Sequence, residues 1–176
     1  MLNHFELHDK DISELLRVPD PKPYNHEGLI QTGYYREISP ARLKELSYLD
    51  YPMVGPCITA IIYRSREDVV YAMHIAPEDE PDYVQAQVQA FLDRHSDKDN
   101  WKLEFLVRQN KSSNSSQGSD SAKGNLANLN RLADLDDLIP GRLSVTEATY
   151  VKTSTGVDNF AWNFENHFFV LTHDKK

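Results

Sequence analysis

Cysteine is nearly absent: Cys57 is the only one in 176 residues. An internal disulfide is therefore excluded, and a reducing compartment is the simpler expectation. Basic residues are outnumbered, with 19 Lys and Arg against 27 Asp and Glu for a net charge of −8. They gather in no patch of the kind that holds a phosphate backbone, which argues against a nucleic-acid partner. No apolar run approaches the roughly 20 residues that a membrane-spanning helix needs. Met1 to Lys10 show no basic stretch followed by an apolar one, so no secretory signal is read and a cytoplasmic protein is expected. Export to a host cell by a route that reads no such signal stays open. The seven glycines form no phosphate-cradling loop.

What is present suits one globular domain. Apolar residues make up 40% and charged ones 26%, and a chain of this length hides roughly 70% of its unfolded surface. Residues 9–18 predict a short helix, stopped by Pro19, Pro21 and Pro23. Ser39 and Pro40 read as the N-cap and first residue of another, with Leu43 and Leu46 on one face. Residues 57–64 and 69–75 are rich in Ile, Val and Tyr and predict two strands around a four-residue turn. Val84, Val88, Phe91 and Leu92 mark a helix from Pro81, and 102–108 a third strand. Residues 111–123 are Ser- and Asn-rich and predict a mobile loop, followed by a Leu-striped helix at 125–138. Strands are expected at 143–152 and 166–172, with another at 160–164. The order predicts an α+β domain, helices packed on a mostly antiparallel or mixed β-sheet. Residues 1–50 read as an N-terminal extension and 51–176 as the main domain.

The chemistry to look for centres on the lone thiol. A thiol becomes a nucleophile at neutral pH when an imidazole takes its proton. His74 ends the strand after the one Cys57 begins. If residues 65–68 form the turn, antiparallel pairing sets Thr59 opposite His74 and puts Cys57, Thr59 and His74 on one face. The β-carbons of Cys57 and His74 are then about 7 Å apart or less. A one-residue slip would send His74 to the other face.

Val54-Gly-Pro-Cys57-Ile-Thr-Ala-Ile-Ile-Tyr63, followed by Val69-Val-Tyr-Ala-Met-His74-Ile-Ala-Pro77, resembles the core of the CheD-type chemoreceptor glutamine deamidases and of related bacterial glutamine-deamidase toxins. That family has a Gly-Ser-Cys before an apolar strand, then a Met-x-His strand end and a Pro, with the same Cys-to-His interval. Weaker, colinear similarity continues through Lys102–Phe105, Asn125–Asn130, Pro140–Arg142 and Thr155–Val157. The resemblance implies a CheD-like α/β sandwich and a hydrolase that converts a glutamine on a protein substrate to glutamate and ammonia, as a chemotaxis-type modifier or a bacterial effector. Cys57 would be the nucleophile and His74 the base, without metal or organic cofactor. An amine replacing water would make it a transglutaminase. Two positions depart from the family: Pro56 stands where it has Ser, and Tyr51 where it has a catalytic Thr. The oxyanion donors would then be the Cys57 and Gly55 amides, and the partner of His74 the Tyr51 hydroxyl, a backbone carbonyl or Thr59.

Two plainer readings compete with catalysis: a non-catalytic protein-binding module of the same fold, and an α+β protein whose Cys57 is a small buried hydrophobe. His4 and His8, and His167 and His173, lack the companion ligands of a metal site, so packing or solvated histidines are expected there. Tyr34, Tyr35, Trp162, Phe168 and Phe169 are read as aromatic core, with a partner surface as the alternative.

Overall fold

The computed structural model describes residues 6–19, 28–46, 48–65, 68–97, 99–110, 142–153 and 158–173. The loop expected at 111–123 and the helix expected at 125–138 lie outside them. Among the described residues, ten strands and two helices follow one another as β1 (Glu6–Asp11), β2 (Arg17–Pro19), β3 (Tyr35–Ile38), α1 (Pro40–Leu43), β4 (Leu49–Val54), β5 (Ile58–Tyr63), β6 (Val70–Ile75), α2 (Pro81–Arg94), β7 (Trp101–Asn110), β8 (Leu143–Thr153), β9 (Asp158–Asn163) and β10 (Phe168–His173). Residues 9–18 are thus not a helix. A single 3-10 turn at Ile12–Glu14 separates β1 from β2. The weak helix preference of that segment yields to parallel pairing of β1 with β8 and of β2 with β10.

The strands form two mixed sheets, one ordered β1-β8-β7-β5-β6-β3 and the other β2-β10-β9-β4. The α+β expectation holds at that level, but among the described residues the helix expected at 9–18 is absent and a second sheet is added. Alternation along β5 and β6 explains the layers. Ile58, Ala60, Ile62, Tyr71, Met73 and Ile75 pack under Val84, Val88, Phe91 and Leu92 of α2. Ile61, Tyr63, Val70 and Ala72 point the other way, against Leu49, Tyr51, Phe160, Trp162 and Phe169 of the second sheet. Both faces of these central strands are covered, which is why their sequences read as near-continuous apolar runs.

The β5–β6 register pairs Thr59 with His74 and Ile61 with Ala72, as a turn at 65–68 requires. Ser39 caps α1, its hydroxyl accepting the Arg42 amide at 3.3 Å. Among the described residues, no helix is long and apolar enough to cross a membrane.

Candidate active site

Cys57 lies where the chain crosses from one sheet to the other. β4 is an outer strand of the smaller sheet, which is where Pro52 is tolerated. The β4–β9 register breaks between Tyr51 and Val54, Met53 turns left-handed with φ 55°, and its amide donates to Asn159 Oδ1 at 2.8 Å. Val54, Gly55 and Pro56 then carry the chain into β5, an interior strand of the larger sheet. Cys57 is 5% exposed and His74 is fully buried.

A segment that sequence reasoning assigned no role completes the arrangement. Residues 28–34 run beside β4 and the end of β6, with Ile30 donating to the Asp50 carbonyl at 2.7 Å and Gly33 to the His74 carbonyl at 2.8 Å. The His74 amide donates to the Tyr34 carbonyl at 3.0 Å. Tyr34 N–H returns to Gln31 O at 2.9 Å, closing a four-residue turn whose third residue, Gly33, has φ 81°. That left-handed position favours glycine. The second residue is Thr32, and its Oγ1 lies 3.5 Å from His74 Nε2 and 3.9 Å from Cys57 Sγ.

The imidazole is oriented from its other side. His74 Nδ1 is 2.9 Å from the Ile30 carbonyl oxygen, which can only accept, so Nδ1 carries the hydrogen and Nε2 presents its lone pair. Of the three partners considered for the ring, a backbone carbonyl takes the place. The Tyr51 hydroxyl instead donates to Ala60 O at 2.8 Å, and the Tyr51 ring meets the imidazole edge-on at 6.0 Å between centroids. Burial raises the tyrosine's pKa well above its ordinary value. Thr59 sits opposite His74, and its hydroxyl donates to Leu106 O at 3.4 Å.

Burial pushes the Cys57 thiol pKa up, and the carboxylates of Glu78 and Asp79 add to the rise. The Thr32 hydroxyl and the Gly55 backbone, which favour the thiolate, pull it down. Burial lowers the His74 pKa, against the contribution of the Ile30 carbonyl. The resting state is a neutral thiol beside a neutral imidazole, and charge has to be separated when the thiol reacts.

The other expected features fall elsewhere. His8 Nε2 lies 3.5 Å from Glu147 Oε1, and the His167 ring meets Tyr63 at a tilt of 40° with centroids 4.4 Å apart. His4 is outside the described residues. Trp162 and Phe169 are core, whereas Tyr34 is 42% and Phe168 36% exposed. The Tyr35 hydroxyl donates to Asp79 Oδ2 at 2.8 Å. Among the described residues, no three His, Cys, Asp or Glu side chains are arranged to hold a metal ion.

No protein-family model matches the chain, and no curated protein is similar to it in sequence.

Proposed function

We propose that this protein is a cysteine-dependent amidohydrolase that deamidates a glutamine side chain of a protein substrate. The observation that carries the reading is the approach of Cys57 and His74 to one hydroxyl, with the imidazole tautomer fixed so that Nε2 can accept a proton. The motif similarity to CheD-type deamidases supports the choice of a carboxamide over other acyl groups.

In this reading Cys57 Sγ attacks the carboxamide carbon while the thiol proton ends on His74 Nε2. The imidazolium returns that proton to the departing nitrogen, and ammonia leaves a thioester. Water, activated by the same Nε2, attacks the thioester and releases glutamate and the free thiol. The Cys57 and Gly55 amides are the oxyanion donors in this reading. No metal or organic cofactor takes part in these steps. Glutamine is a long, thin side chain, suited to a thiol that is almost covered and has an exposed Thr32 beside it.

A second reading, a non-catalytic binding module with an inert thiol, draws on the 5% exposure of Cys57 and its raised pKa. The deciding experiment incubates the protein with a library of glutamine-containing peptides and follows ammonia release together with the one-dalton mass gain of Gln to Glu. The deamidase reading expects both signals from the native protein and neither from Cys57→Ser. Equal modification by the two proteins, or none by either, supports the inert module.

A further inference from the structure

One group approaches both the thiol and the imidazole, the Thr32 hydroxyl. Its orientation follows from the tautomer of His74. Nε2 has only a lone pair to offer, because Nδ1 holds the ring hydrogen against the Ile30 carbonyl. The Thr32 O–H therefore points to Nε2, and the lone pairs on Oγ1 remain to accept the Cys57 S–H. The contacts run in one direction, from thiol to hydroxyl to imidazole.

We propose that Thr32 is a catalytic residue that hands the Cys57 proton on to His74 and then bridges the thiolate and the imidazolium. The Sγ–H bond breaks as a new Oγ1–H bond forms, and the original Oγ1–H bond breaks as Nε2–H forms. The electron pair stays on sulfur, the positive charge rests on the ring, and no co-reactant is needed. Afterwards Oγ1–H donates to the thiolate and Nε2–H donates to Oγ1, so each new charge has a hydrogen-bond partner. A bridge of this kind matters because burial opposes either charge alone. The distances of 3.9 and 3.5 Å are long for hydrogen bonds, as free-enzyme contacts often are before substrate draws them in.

Thr32 comes from the segment before residue 51, outside the stretch that resembles the deamidase core, and the turn around Gly33 holds it in place. Its own exposure makes substitution there compatible with folding.

The inference rests on the reading of Cys57 as a nucleophile, and its test uses no glutamine. Iodoacetamide labelling of Cys57 is followed across pH in the native protein, in Thr32→Val and in Thr32→Ser. The native profile should show a limb near neutrality from the bridged pair and an alkaline limb where the thiol titrates alone. Thr32→Val should lose the first limb, slowing neutral labelling about ten- to a hundredfold, and keep the second, which reports an intact fold. Thr32→Ser should retain both. If Thr32→Val keeps a neutral limb as fast as the native one, or faster, the bridge is overturned and the nucleophile reading survives. If the native protein has no neutral limb, both fall.

Discussion

Glu78 is an exposed carboxylate close enough to the Cys57 thiol to oppose its ionisation. The β5–β6 register places Cys57 beside Ala76, and the turn that follows closes with the Asp79 amide on Ala76 O at 3.0 Å. Asp79 is tied down further, since its Oδ2 accepts from the Ala76 amide and from the Tyr35 hydroxyl. Glu78 is therefore the carboxylate whose removal disturbs least. Glu78→Gln should lower the thiol pKa and raise the neutral labelling rate by a factor of about two to five. Molar salt should erase the difference, because the charge acts through solvent. A pH titration of thiolate absorbance in low and high salt checks both points. The same turn could steer positively charged substrate segments toward the thiol.

At the scale of elements, β7 contains a carboxyl group that is not at ease. Glu104 is buried between strands, accepts a hydrogen bond from the Tyr63 hydroxyl, and is paired in register with Glu147 of β8. Burial pushes its pKa up to about 7 from 4.5, and Glu147 adds to the rise while Tyr63 and Lys102 oppose it. The folded state keeps a proton that the unfolded chain gives up. The resulting stability is complete below pH 4.5 and is lost as pH rises through about 7, a change of about 3 kcal/mol in all. Glu104→Gln, which keeps the shape without the charge, should flatten the stability profile over that window. Urea unfolding of both proteins at several pH values measures it.

How much of each element was legible follows from where its partner lies. The β5–β6 register could be read because a short turn fixes it, and α2 because Val84, Val88, Phe91 and Leu92 form one stripe. The Ile30 carbonyl and the Thr32 hydroxyl could not be read. They reach His74 from more than forty positions upstream, through backbone hydrogen bonds that any sequence could make. The helix expected at 9–18 failed for the same reason in reverse, because the strands that claim those residues, β8 and β10, belong to the last third of the chain.

For the molecule as a whole, the site depends on two sheets keeping their relative position. Arg108 of β7 and Asp158 of β9 connect them, with Nη2 and Oδ2 2.8 Å apart and the arginine 4% exposed. The β5–β7 register sets Arg108 beside Cys57, and Asp158 pairs with Val54 at the start of the crossing segment. Asp158→Ala removes the carboxylate that holds a buried cation and should cost about 3–5 kcal/mol of stability, read as a lower midpoint of chemical unfolding. Strands from both ends of the chain enter the same two sheets, and His74 is met by residues 28–34 on one side and by Tyr51 of β4 on another.

The central claim is that His74 activates Cys57 in the folded protein. The most direct measurement is the rate at which iodoacetamide adds to Cys57 at neutral pH, read by intact mass, for the native protein and for His74→Asn. The account predicts steady labelling of the native chain and a rate at least about tenfold lower in the variant. A thiol that labels only after unfolding, or at equal rates in both proteins, would contradict it.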